Sequence, residues 1–288
     1  MDHDTLKREV ILALFADNYL MQHLVLKGGN LLDIVYGIST RPSKDIDLSM
    51  AGQIDDCESF QKTIERALQR WFEPKGFMVF DVTLREEPHK LSDDFRSFWG
   101  GYKVAFKIIE RTTYDKCAGD EQRMRMLAVD MADGTKGFPL DISKFEYVEN
   151  KVEELIDELM IYAYSPAMLV AEKLRAICQQ MPEYVSFVKS HRRPRARDFL
   201  DIHSVVEHFA IDFGDAGFQE IVTRMFEAKH VDRKLLAKLA DEEVREYHRP
   251  DFESLAPTIR PGFEIQDYDF YYDYLLEKCK SLEPLWHV

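Results

Sequence analysis

Residues 23–50, HLVLKGGNLLDIVYGISTRPSKDIDLSM, constrain the fold more than any other part of the chain. A short apolar run (Leu24, Val25, Leu26) ends at Lys27-Gly28-Gly29, and a helix-like segment follows from Asn30 to Tyr36. The turn-rich GISTRPS then leads into Asp45-Ile46-Asp47-Leu48, where acidic and apolar residues alternate. Side chains two apart on a strand share a face, so Asp45 and Asp47 are expected on one side and Ile46 and Leu48 in the core. Two neighbouring carboxylates repel each other, and a divalent cation is the usual reason to keep them together. A glycine pair ahead of a helix leaves backbone N–H groups open to a phosphate. The stretch therefore predicts a phosphate seat joined to a metal seat.

The elements around it read as α+β. Residues 5–20 repeat apolar residues at helical spacing, with Asp4 or Thr5 as a cap, and residues 55–73 form a second helix stopped at Pro74 and Gly76. FMVFDVTL at 77–84, YKVAFKII at 102–109 and FPLDISKFEYVE at 138–149 have strand composition, whereas 111–136 is charged and irregular. The expected sheet is mixed or antiparallel. From about residue 151 helices take over: one starts at Ser165-Pro166 and runs to Pro182, and another begins near Arg195. FQEIVTRMFEAKH, DRKLLAKLADEEVREY and DYDFYYDYLLEKC complete the helices, and RPDFESLAPTIRPGFE reads as loop. This shift in composition, near residues 150–165, predicts a mixed-sheet domain over 1–155 and a helical domain over 156–288.

Bulk properties exclude several classes. No apolar run approaches the roughly 20 residues of a membrane span, and the charged MDHDTLKREV start shows no secretory signal. The four cysteines are scattered without a CxxC pair, which fits reduced thiols in a cytoplasmic protein. A net charge of −14 argues against non-specific coating of nucleic acid. A nucleic-acid partner would need the one local basic patch, His191-Arg192-Arg193-Pro194-Arg195-Ala196-Arg197. His203 and His208 lie five apart, the wrong spacing for a same-face metal pair. The aromatic run Tyr268, Phe270, Tyr271, Tyr272 and Tyr274 reads as helix packing rather than a base-stacking platform.

A strand–GG–helix–strand unit ending in D-x-D, with a Ser43-Lys44 lead-in, resembles the nucleotidyltransferase fold of the DNA polymerase β superfamily. The resemblance implies a third metal carboxylate from a later strand. Asp141 in PLDIS matches best, with Asp130 in AVDMA and Asp81 in VFDVT as alternatives. KGG…YG…R-x-S-x-D-I-D-L, followed by Glu172-Lys173-Leu174-Arg175-Ala176 and Arg195-Ala196-Arg197-Asp198-Phe199-Leu200-Asp201, further resembles the AbiEii/AbiGii-like nucleotidyltransferase toxins over roughly residues 20–210.

That resemblance implies catalytic Asp45, Asp47, Lys173 and Asp198, with Asp45, Asp47 and Asp141 holding Mg2+ or Mn2+. It also implies nucleotide contacts from Lys27, Gly28, Gly29, Arg41 and Ser43, in a cleft between the two halves. Ser43 either bonds a phosphate or caps the turn before the strand. Lys173, Arg175, Arg197 and Asp198 either serve the nucleotide or form a helix-surface ion-pair network. The implied reaction transfers NMP from an NTP to an acceptor hydroxyl, a tRNA 3′ end, releasing pyrophosphate. The implied setting is a type IV toxin–antitoxin or phage-defence module with an adjacently encoded antitoxin. Modification of a small molecule or a protein hydroxyl, or a non-catalytic binding role that keeps the fold, are the competing readings.

Overall fold

The computed structural model describes residues 2–287 except Pro42, Lys44, Leu91, Ala132 and Asp133; of Ala256 only the backbone is described. The chain divides into two compact units. The first comprises Met1–Val35, Ser43–Val148 and Val152–Ala163, and the second Tyr36–Pro42, Glu149–Lys151 and Tyr164–Val288.

The first unit opens with helix α1 (His3–Phe15), capped by Asp2, whose side chain accepts the Thr5 N–H; the expected caps Asp4 and Thr5 lie inside the helix. The expected 5–20 helix is broken at Ala16-Asp17, because the Asp17 carboxylate accepts the N–H groups of Tyr19 and Leu20 and starts α2 (Asn18–His23). Strand β1 (Val25–Lys27) runs directly into a helical turn, α3 (Gly28–Asn30), and a π-helical stretch, Leu31–Val35. Strand β2 (Ile46–Ser49) follows. Helix α4 (Cys57–Phe72) is capped by Asp56 and buries Phe60, Ile64, Ala67 and Leu68, the i, i+4, i+7, i+8 stripe that packs against α1 and the sheet.

Strand β3 (Phe77–Glu87) pairs with β4 (Gly101–Glu110), with a register shift at Asp81, whose φ is +51°. The charged 111–136 region contains two short helices, α5 (Arg111–Cys117) and α6 (Glu121–Leu127). They were illegible because their buried side is only Cys117 and Met124 packed on Ile109. Strand β5 (Phe138–Ser143) stops earlier than the expected 138–149 strand.

A hairpin absent from the sequence expectation closes the unit. Strands β6 (Val152–Ile156) and β7 (Leu159–Ala163) pair antiparallel, so strand structure continues past residue 151. Its two-residue turn is Asp157-Glu158, both at positive φ (48° and 67°), where glycine or asparagine is the usual signal. The sheet order is β3-β4-β5-β2-β1-β7-β6. Pairs β1/β7 and β2/β5 are parallel and the remainder antiparallel, a mixed sheet as expected.

The second unit is helical. Ser165 caps α7 (Pro166–Cys178) by accepting the Met168 N–H at 3.3 Å, with Pro166 at the first helical position. A short helix, α8 (Pro182–Val188), precedes α9 (Ala196–Phe209) and α10 (Ala216–Glu227). The expected helix from Asp232 onward splits into a 3-10 stretch (Arg233–Ala240) and α11 (Glu242–Glu253), because Asp241 adopts an extended conformation between them. Helix α11 continues through Pro250 into the expected loop; in the last turn the ring costs few backbone bonds. Helix α12 (Tyr268–Cys279) buries Tyr268, Tyr271 and Tyr272 and packs on α9, where Phe199 stacks on Tyr272 at 4.9 Å. Tyr268, Tyr271 and Tyr272 are helix packing, as expected of the aromatic run, whereas Phe270 is exposed.

Candidate functional site

In the first unit, four strands place one row of side chains across the sheet. Lys27 on β1 pairs with Asp47 on β2, Asp47 with Asp141 on β5, and Asp141 with Lys103 on β4. Register partners share a face, so two carboxylates lie side by side with a lysine at each end. Ile46 and Leu48 are fully buried on the opposite face, as alternation requires.

The two lysines differ. Lys27 is buried; its Nζ donates to Ser143 Oγ at 3.0 Å and lies 3.7 Å from the buried Glu146. Lys103 is half exposed, with its Nζ 3.6 Å from Asp141 Oδ1. Burial raises the proton affinity of Asp141, Lys103 opposes that shift, and the charge of Asp45 adds to it. Asp45 is thus electrostatically coupled to Asp141, although it precedes β2 rather than lying in it.

The alternative third carboxylates are placed elsewhere. Asp81 is bonded by Arg125 at 2.6 Å and Lys107 at 2.9 Å, the arginine above all holding its carboxyl down to about 2. Asp130 pairs with Lys136 at 2.6 Å. Among the described residues no three His, Cys, Asp or Glu side chains form a ready-made metal cage. A magnesium-sized cation beside Asp47 and Asp141, the two carboxylates in register, would take its remaining ligands from waters and substrate oxygens.

The glycines lean directly on this row. Gly28 sits at φ +73°, and a β-carbon there would lie 2.9 Å from Asp47 Cγ. A β-carbon on Gly29 would lie 2.8 Å from both Cβ and Oγ of Ser43. Only bare backbone can pass so close to the carboxylate and the hydroxyl. Ser43 Oγ is 3.5 Å from the Asp45 carbonyl, the geometry of a weak turn cap, and Lys44 lies outside the described residues.

Three positioning residues escaped the sequence reading. The Asn30 amide donates to the Asp45 carbonyl, tying the glycine turn to the acidic strand. Fully buried Lys7 donates to the Ser43 carbonyl at 2.9 Å and pairs with Asp4 at 2.8 Å. Glu146 anchors Lys27. Asn30 follows the glycine pair directly, a signal that was available; Lys7 and Glu146 are distant in sequence and carried none.

In the second unit, Lys173 on α7 donates to Asp198 Oδ1 at 3.2 Å and Asp201 Oδ2 at 2.7 Å, both on α9. Asp198 and Asp201 share a face of α9 at i and i+3, and all three groups are buried. Arg195 also bonds Asp198, and Arg41 lies 3.5 Å from Asp201. Burial alone would raise the Asp198 carboxyl, but Arg195 and Lys173 hold it well below the usual carboxylate range. Burial likewise opposes the charge on Lys173, and Asp201 and Asp198 outweigh it.

The network is internal, unlike the helix-surface alternative. Arg175 turns away to the Met225 carbonyl, and Arg197 is exposed. Three cations (Lys173, Arg195, Arg41) meet two carboxylates, and Arg41 Nε is buried without a hydrogen-bond partner in the protein. A buried guanidinium N–H without a protein acceptor suits the oxygen of an anion.

His248 closes the network from α11: its Nδ1 accepts the Arg195 N–H at 2.9 Å, and burial lowers its pKa to about 4. A histidine kept neutral by the fold stabilises it less as the unfolded chain begins to bind a proton. Stability should therefore fall as pH drops from 6.5 toward about 4. The 1.5 pH units from 6.5 to 5 correspond to at most about 2 kcal/mol. Urea unfolding of wild type and His248→Gln at pH 7 and 5 checks this, with the variant expected to lose less. His203, by contrast, packs against Phe270, Tyr271 and Tyr274.

Among the described residues no helix is long and apolar enough to cross a membrane. All four cysteines are free thiols, Cys57 exposed and Cys117, Cys178 and Cys279 buried.

The family model described as nucleotidyl transferase AbiEii toxin, type IV TA system, matches residues 10–274. Similar solved structures include JHP933 from Helicobacter pylori, 18% identical, covering 98% of this chain and 91% of that one at a TM-score of 0.48. An antigenic nucleotidyltransferase-like protein from Paracoccidioides brasiliensis is 16% identical, with 88% and 92% covered and a TM-score of 0.39. ANT(2")-Ia, solved with adenylyl-2"-tobramycin, is 14% identical, with 79% and 98% covered and a TM-score of 0.36. TM-scores below 0.5 add nothing to the assignment, and no curated protein matches the chain significantly. The sequence match covers most of the chain, which belongs to the AbiEii family of nucleotidyltransferase toxins of type IV toxin–antitoxin systems.

Proposed function

We propose that the chain transfers NMP from an NTP to an acceptor hydroxyl, a tRNA 3′ end, with release of pyrophosphate, in a reaction that depends on Mg2+ or Mn2+. The carrying observation is the Asp47–Asp141 pair, in register beneath a glycine turn that admits no β-carbon. Asp45, Asp47 and Asp141 would hold the cation, which when bound supplies charge neutralisation at the reacting phosphate and the leaving pyrophosphate.

The chain's own residues do the rest. Gly28 and Gly29 let the triphosphate approach backbone N–H groups, and Ser43 offers a hydroxyl beside them. Lys27, pinned by Ser143 and Glu146, keeps a fixed positive charge next to Asp47. Lys173 would offset phosphate charge as a compact cation, with Asp198 and Asp201 fixing its position. Arg41, one of its N–H groups unsatisfied within the protein, is the second candidate phosphate contact. A cognate antitoxin is the expected protein partner.

The test is direct. Purified protein with Mg2+ and each of the four α-labelled NTPs should label the 3′ end of tRNA, and Asp45→Ala should not. Absence of label with every NTP, together with identical growth effects of Asp45→Ala and wild type, would refute the proposal. Label on a small molecule or a protein instead would reassign the acceptor.

Gly28→Ala gives a sharper check of the geometry. The added methyl group meets the Asp47 carboxylate in a left-handed conformation, which by itself costs about 1–2 kcal/mol. Displacing a reacting group by an ångström costs about 10²-fold in rate, so pyrophosphate release should fall by that order. Near-normal turnover in Gly28→Ala would show that the turn does not seat the triphosphate.

A further inference from the structure

Apart from Arg195, segment 189–197 takes no part in the chemistry above, yet it is the most basic stretch of an acidic chain. It holds Lys189, His191, Arg192, Arg193, Arg195 and Arg197 and no carboxylate, in a protein of net charge −14. The structure divides these cations into two groups. Two of them fasten the loop: Arg192 Nε donates to the Gln180 carbonyl at 2.7 Å with its guanidinium 3.7 Å over the Tyr247 ring, and Arg195 bonds Asp198. The backbone N–H groups of Arg193 and Arg195 are held by Gln180 Oε1 at 2.7 Å and His248 Nδ1 at 2.9 Å.

Lys189, His191, Arg193 and Arg197 remain exposed. Among the described residues no carboxylate lies within ion-pair distance of any of the four. Nearby acids are already engaged: Glu183 pairs with Lys238, and Asp251 accepts the Ala196 N–H at 3.0 Å. Exposed cations elsewhere are commonly paired along their own helix, as Lys62 is with Glu58, Arg224 with Glu220 and Lys280 with Glu277. What sets the group apart is its density: four exposed cations fall within nine residues that contain no carboxylate. Phe187, 46% exposed, lies two residues before it on α8.

From this we infer that Phe187, Lys189, His191, Arg193 and Arg197 form a docking surface for the sugar-phosphate backbone of RNA. The choice of RNA rests on the proposed acceptor. Planar guanidinium forks match phosphate oxygens, and an exposed ring provides a stacking surface for an unpaired base. Because these contacts already fasten the loop, binding orders little backbone and the charges meet the phosphates preorganised. The surface reads shape and charge rather than sequence, so it serves any RNA of suitable geometry.

The experiment measures binding of full-length protein to labelled tRNA in EDTA without NTP, over a range of salt concentrations. Arg193→Glu/Arg197→Glu is compared with Lys62→Glu/Lys280→Glu, which changes the net charge equally at other exposed sites. The first should weaken tRNA binding about ten-fold or more and flatten the slope of log affinity against log salt by about 1.5. The control should change affinity by no more than about two-fold. A milder Arg193→Gln/Arg197→Gln pair should fall between the two. Equal losses in both charge-reversal variants, or none in the first, would overturn the inference; so would binding of poly-glutamate but not of RNA by wild type. The assay contains no nucleotide or metal, so its failure is distinct from failure of transfer to the tRNA 3′ end.

Discussion

Asp47→Asn is expected to cut nucleotidyl transfer by about 10³-fold while leaving the fold at least as stable as wild type. The loss follows because a neutral amide cannot replace a carboxylate opposite a divalent cation, and removing one preorganised charge-stabilising group costs about 10²–10³. The stability follows from the register: Asp47 and Asp141 face each other across β2 and β5, and neutralising one relieves their repulsion. A gain of up to about 1 kcal/mol fits the general trade-off between active-site strain and stability. Turnover and urea unfolding of the same preparation check both halves. A variant that is inactive because it is unfolded would count against the assignment, as would one that keeps its activity.

Lys173→Met should have the largest effect on folding. The substitution keeps the side chain's apolar stem but removes its terminal ammonium group, leaving Asp198 and Asp201 in a buried site with Arg195 and Arg41 as their remaining partners. Breaking a buried ion pair from one side typically costs about 3–5 kcal/mol. Denaturant unfolding should register that loss, and Lys173→Met/Asp201→Asn should recover a substantial part of it. Recovery separates the charge from the packing of the stem, since the double variant packs no better than the single one. A loss below about 1 kcal/mol would mean that water reaches the carboxylates.

How much of this was legible depends on the range of each signal. Asp45 and Asp47 declared themselves because alternation with Ile46 and Leu48 is a local, period-two pattern. Asp198 entered through the family resemblance of the Arg195–Asp201 segment, and Ser165 and Pro166 through helix-start chemistry. The β6–β7 hairpin was hidden because VEELIDELM is rich in glutamate and leucine, good helix formers, and its turn uses Asp157-Glu158 in place of Asn-Gly. Pairing with β1 supplied the energy that local propensity did not. Lys7, Glu146 and Lys103 were illegible for another reason. Each acts through a partner 36 or more residues away, and only the folded register brings it to Ser43, Lys27 or Asp141.

The segment between the glycine turn and the acidic strand has a consequence for how such a chain can be divided. Tyr36–Pro42 belongs to the helical unit, although the residues on either side belong to the sheet unit. Tyr36 donates to the Tyr164 carbonyl at 2.8 Å, Thr40 accepts the Arg260 N–H at 2.8 Å, and Arg41 reaches Asp201. No single cut therefore yields two complete pieces: cleavage after Ala163 would strip the helical unit of a loop that belongs to it. Recombination that swapped the C-terminal half between relatives would have to carry seven residues from deep within the N-terminal half along with it. A segment that looks, in the sequence, like mere spacing is thus part of the helical unit's own structure.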